Sequence, residues 1–132
     1  MSEAALVDWL DGFGLDISIR AHVLTVLTTL PHEVRSDFTS DAAFHLSDYE
    51  PSPAGYQVRV NIPTARGVAS RSIVLKRTLR HREPDFVRWV IAHELAHAHL
   101  RNAGRFPGED PERAADALAA QWGHPKPTTF RW

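Results

Sequence analysis

The sequence predicts an α+β domain, and three features carry that expectation. Two stretches with helical spacing open the chain, two stretches with strand alternation fill its middle, and two further helical stretches close it. Helices, then strands, then two helices is the order of an α+β fold, with the last two helices against one sheet face. A length of 132 residues suits one domain around one core, and 43% apolar with 23% charged residues is ordinary for a globular protein. The domain is expected over residues 1–123, with 124–132 as a C-terminal tail.

The first expected helix runs from Ser2 to Leu10 and is ended by Gly12 and Gly14. The second runs from Ser18, a candidate N-cap, to Leu30, where Pro31 follows. Residues 31–55 lack periodicity apart from a short strand near Phe44–Leu46, and Pro51 to Gly55 signals a turn. Tyr56, Val58, Val60 and Ile62 alternate with polar residues as a half-buried strand does. After a turn at Pro63–Gly67, Arg71–Leu79 has the composition of its antiparallel neighbour, giving a small mixed or antiparallel sheet. Pro84 opens a long helix to Arg101. Gly104, Pro107 and Gly108 form a loop, and a last helix spans Pro111–Trp122 before Gly123 and Pro125.

Composition excludes several classes. No apolar run approaches the roughly 18 residues of a membrane span. The N-terminus carries an acid where a secretory signal carries bases, so a cytoplasmic location is expected. With no cysteine, neither a disulfide nor a thiolate metal site can form. The net charge of -1 gives no basic excess for nucleic acid, so none is expected as a partner. Residues 51–100, with eight bases and three acids, offer either an acidic partner's surface or a solvated strand face.

The long helix carries His93-Glu94-Leu95-Ala96-His97. At about 100° per residue, His93 and His97 differ by about 40° and leave one side of the helix. That spacing lets two imidazole nitrogens meet one zinc ion. Glu94 lies beside them, where it can hold a water. Chance alone would produce the pattern in roughly 2% of shuffled chains of this composition, so its surroundings decide its weight. Val87, Val90, Ile91, Leu95 and Ala98 cover one arc; Trp89, Ala92, Ala96 and Leu100 cover another. The helix is apolar nearly all round and therefore largely buried. A carboxylate in that setting is costly without a partner. The alternative is a pair of hydrogen-bonded core histidines. His99 falls on the narrow polar edge and is expected at the surface.

A catalytic zinc site has three protein ligands and an open position. On the last helix, Asp110-Pro111-Glu112 has the pattern N-cap, N1, N2. Glu112 and Asp116 share a face, and Ala115 and Ala119 permit close approach to the long helix. Glu112 can then be the third ligand, and Asp116 can accept the ring N–H of His93. Glu109, Asp110 and His124 are rivals for the ligand position.

These residues bring a resemblance into view. The chain resembles the gluzincin zinc metallopeptidases, whose signature joins H-E-x-x-H to a helix bearing E-x-x-A-D, here Glu112-Arg113-Ala114-Ala115-Asp116. The resemblance covers residues 84–123 and matches the preceding strands only in layout. It implies a zincin-like fold, one zinc ion on His93, His97 and Glu112, Glu94 as general base, and Asp116 orienting His93. Only 14 residues separate His97 from Glu112, and a large C-terminal subdomain is missing. The chain thus looks closer to minimal single-domain members.

The expected function is hydrolysis of a peptide or protein substrate, bound as an added strand on a sheet edge. Tyr49, Tyr56, His81 and His124 are candidates to meet the developing oxyanion. One rival is a zinc-stabilised binding or regulatory domain without turnover, which needs no general base. Another is a protease of DNA-bound proteins, which would use three histidines. Phe130 and Trp132 of the tail are expected to pack on the core or to be mobile; the alternative is a tail lying in the cleft.

Overall fold

The computed structural model describes residues 2–42, 44–49, 71–102 and 111–127. Their elements are α1 (Glu3–Asp11), α2 (Ile17–Thr29), α3 (His32–Thr39), β1 (Phe44–Tyr49), β2 (Arg71–Lys76), a 3-10 helix (Arg77–His81), α4 (Pro84–Asn102) and α5 (Pro111–Gln121). The class is α+β, as predicted. The expected strand at Tyr56–Ile62, the turns beside it and the loop at Gly104–Gly108 lie outside the described residues.

Helix starts follow local hydrogen bonding. The Ser2 hydroxyl accepts from Ala5 N (3.2 Å) and caps α1. At α2 the cap is Asp16 rather than Ser18: its carboxylate accepts from Ser18 N at 3.0 Å and Ile19 N at 3.4 Å. A carboxylate can take both free N–H groups, and it also faces the positive end of the helix dipole.

The segment read as irregular contains α3. Its apolar signal is only Val34 and Phe38, four residues apart and both buried. One such pair is too short a pattern to show periodicity, yet burial of Phe38 against Phe44 (ring centroids 4.8 Å apart) holds the helix to the core.

The sheet corrects the expected strand pairing. Among the described residues it has two strands, and they run parallel, with Phe44 opposite Arg71 and Leu46 opposite Ile73. Alternation shows which side chains face the core, but it carries no information about a strand's partner or direction. Residues 50–70 are long enough for the crossover a parallel pair needs. The second strand also stops at Lys76 and turns into the 3-10 helix, which puts Leu79 into the core.

Helix α4 is the centre of the molecule. Phe86, Val87, Trp89, Ile91, Ala92, Leu95, Ala96 and Ala98 are all buried. It packs on β2, α2, α3 and α5, so apolar residues around its whole circumference are covered. Helix α5 lies against α4 rather than on the sheet, through fully buried Ala115 and Ala119. Small side chains at these two positions let the helix axes approach closely.

Candidate metal centre

The close packing of α5 on α4 brings three predicted residues together. Glu112 Oε2 lies 2.7 Å from His93 Nε2, and Glu112 Oε1 lies 3.1 Å from His97 Nε2. The two Nε2 atoms are 3.1 Å apart. Two ligands of one zinc ion can be separated by at most about 4.2 Å, twice the bond length, and all three pairs meet that limit.

Asp116 sits where the i, i+4 spacing predicts. Its Oδ1 accepts from His93 Nδ1 at 2.8 Å. The same oxygen accepts from Trp89 Nε1–H at 3.1 Å. In the sequence Trp89 belongs to an apolar arc of α4, which does not show this role. It stands four residues before His93, hence on the same side of α4, and that spacing was the available signal for its role.

The hydrogen bonds define the chemistry of the cluster. A carboxylate on Nδ1 keeps the His93 proton there, which leaves a lone pair on Nε2. That lone pair faces a second carboxylate and the other imidazole nitrogen. One proton can reconcile only one of these pairs, whereas a divalent cation in the middle satisfies all three. Two imidazoles and one carboxylate are the donor set of catalytic zinc. The residues therefore fit a zinc ion, and His93, His97 and Glu112 are the ones that would hold it.

Burial pushes the Glu112 carboxyl up, but hydrogen bonds from His93 and His97 and their charge outweigh it and hold the group below its usual range. Its side chain is 71% exposed while that of His93 is 11% exposed. The cluster is thus rooted in the core on the α4 side and open to solvent past Glu112.

Glu94 has a different environment. It is half-buried and, among the described residues, makes no hydrogen bond or ion pair. It borders a cavity of about 370 Å³ whose apolar lining includes Val74, Leu75, Leu79, Phe86 and Val90. The cavity places the carboxylate at a cleft between α4 and β2.

Other expected residues lie elsewhere. His99 is half-buried and not a surface residue: its Nδ1 meets Asp37 Oδ2 at 2.8 Å, a partner supplied by the helix α3 that the sequence did not reveal. His124 is bonded to Thr29 Oγ1 (2.8 Å) and does not join the cluster. His81 is exposed and accepts from Arg80 Nε (3.3 Å), and Tyr49 closes β1 without a hydrogen bond to the cluster. Tyr56, Glu109 and Asp110 lie outside the described residues.

Searches against protein families, characterised proteins and solved structures find no match for this chain.

Proposed function

We propose that this chain is a zinc-dependent endopeptidase of the gluzincin type with a zincin-like fold. The observation that carries the proposal is the convergence of His93, His97 and Glu112 on the helix turn that carries Glu94, whose carboxylate has no hydrogen bond or ion pair among the described residues. Zinc, when bound, makes water acidic near neutral pH and polarises a carbonyl.

The chain's own residues supply the rest. Glu94 takes a proton from water as the water oxygen attacks the scissile carbonyl carbon. It then passes that proton to the leaving nitrogen as the C–N bond breaks. Asp116 and Trp89 hold the His93 ring in one orientation and one tautomer. The cavity beside Glu94, apolar along Val74, Leu75, Leu79, Phe86 and Val90 and bordered by Lys76 and Arg82, receives a side chain of the extended substrate.

The test is Glu94→Gln, assayed on unstructured protein such as casein. The amide cannot take a proton, so hydrolysis falls at least about 100-fold while zinc and fold remain. Equal turnover by this variant removes Glu94 from the mechanism. If the zinc-loaded wild type shows no hydrolysis of any peptide, the zinc-stabilised binding domain is the better account, because such a domain has no use for a base at this position.

A further inference from the structure

The segment from Gly123 to Pro127 is built to hold Lys126 in one place. Gly123 takes the left-handed conformation (φ 93°) and ends α5. Gly123 N donates to Ala120 O (3.0 Å) and His124 N donates to Ala119 O (2.9 Å), the pair of bonds of a Schellman turn. This turn sends His124 across to α2. There Thr29 Oγ1 already donates to Val26 O (2.6 Å), so it accepts the Nε2–H of His124 at 2.8 Å. Pro125 and Pro127 then flank Lys126. Each proline fixes its own φ and pushes the residue before it, His124 or Lys126, toward extended backbone. The turn, the anchor and the two prolines leave few conformations to the backbone that carries Lys126.

Lys126 Nζ stands over the Trp89 ring, 5.6 Å from its centroid. Trp89 is buried, with the rings of Phe86 and His93 centred 5.8 and 5.6 Å from its own. Its indole N–H donates to Asp116 Oδ1, the oxygen that also holds His93 Nδ1. Lys126, Trp89, Asp116 and His93 therefore form a continuous row of contacts. It leads from the exposed side chain of Lys126 to a ring whose other nitrogen faces the metal position. A cation over an indole is attracted to the negative face of the ring, which resists turning of the ring. Interactions in series also polarise one another, so the cation makes the indole N–H a better donor to Asp116.

We propose that Lys126 is a positioning residue for the metal centre, acting through Trp89 and Asp116 on the ring of His93. The inference rests on the metal centre proposed above and not on peptidase activity. The sign of the effect separates positioning from charge alone. A lysine that acted only by its charge would repel the metal ion, so removing it would tighten zinc binding. Loss of a positioning lysine does the opposite. The indole turns more freely, Asp116 holds Nδ1 less well, and zinc is bound more weakly.

The experiment measures zinc affinity by chelator competition, and the ring N–H signals of Trp89 and His93 by NMR, in the purified full chain. Lys126→Met keeps an unbranched stem and removes the charge. Zinc affinity should fall about threefold, and the Trp89 indole N–H should exchange faster with solvent. Lys126→Arg also places a cation over the ring and should stay within about twofold of wild type. In a Trp89→Phe background, which lacks the indole N–H, Lys126→Met should have no further effect on affinity. Unchanged or tighter zinc binding by Lys126→Met overturns the proposal. So does an equal loss in Lys126→Arg, or the same loss with Trp89→Phe already in place. If wild type takes up no zinc, the metal centre fails as a reading, and the NMR signals alone decide the positioning role. Trp89 and His93 signals unchanged by Lys126→Met overturn it; signals that change and are restored in Lys126→Arg support it. Should Lys126→Met not fold, Lys126→Gln carries the same expectations.

Discussion

At the scale of single residues, His93 is the position on which the proposed centre depends, because acids hold both of its ring nitrogens. Replacing His93 or Glu112 by Ala should strip zinc from the purified protein, and full zinc occupancy in both variants by elemental analysis would refute the ligand assignment. Asp116→Asn keeps the shape but weakens the grip on Nδ1, so zinc affinity should fall about 10–100-fold in chelator competition. Trp89→Phe removes one hydrogen bond to Asp116. A loss of about 1 kcal/mol there corresponds to roughly a fivefold fall, smaller than for Asp116→Asn. A larger effect than that of Asp116→Asn would mean that Trp89 acts on the centre by another route.

At the scale of elements, one polar network ties the start of α2 to the sheet. The Asp48 side chain, at the end of β1, accepts from Asp16 N (2.6 Å) and from Arg77 Nε (3.0 Å), while Asp16 pairs with Arg80 at 3.2 Å. Asp16 itself caps α2. Partial burial pushes its carboxyl up, but the N–H groups of Ile19 and Ser18 and the Arg80 guanidinium outweigh this and hold it below its usual range. A lowered folded-state pKa stabilises the protein above the unfolded value of about 3.9 and loses that contribution as pH falls through the folded value. Asp16→Ala should therefore cost about 1 kcal/mol at neutral pH. The difference from wild type should vanish in urea melts well below about pH 3.9; a constant difference down to pH 2 would show that the charge of Asp16 is not what caps the helix. Asp48→Ala leaves the Asp16 N–H and Arg77 without their acceptor and should cost about 2–3 kcal/mol.

At the scale of the whole molecule, the proposed ion joins the two C-terminal helices. Binding to the folded state alone adds about 2.7 kcal/mol when free zinc is 100 times its dissociation constant. At roughly 4 °C per kcal/mol for a chain of this size, chelation should lower the melting temperature by about 10 °C. An identical melt with and without chelator would place the ion outside the fold. Truncation after Gly123 is a different test, since it removes His124 from Thr29 and Lys126 from its place 5.6 Å over the Trp89 ring. A drop of several degrees is expected, which would make the segment from His124 to Pro127 part of the domain rather than a detachable tail. Phe130 and Trp132 lie outside the described residues.

What the sequence determined by itself is what depends on local spacing. The shared side of His93 and His97, the i, i+4 relation of Glu112 to Asp116, and the stops at Gly12 and Gly123 follow from helix geometry and backbone conformation. So does the buried character of α4, whose apolar residues surround its axis. What needed tertiary structure depends on which distant segments meet. The parallel pairing of β1 with β2, the Asp37 partner of His99 and the second donor to Asp116 join residues 27 to 62 positions apart, and α3 is held through Phe38, which meets both Phe44 and His99. Hydrophobic burial is non-directional, so an apolar pattern shows that a side chain goes inward without showing what it meets there. Arg88 illustrates the difference. On α4 it reads as a polar residue of a helix edge, and only the fold places it beside Asp85 and His124 at a cavity, with its Nε shut off from solvent and without a hydrogen-bond partner among the described residues.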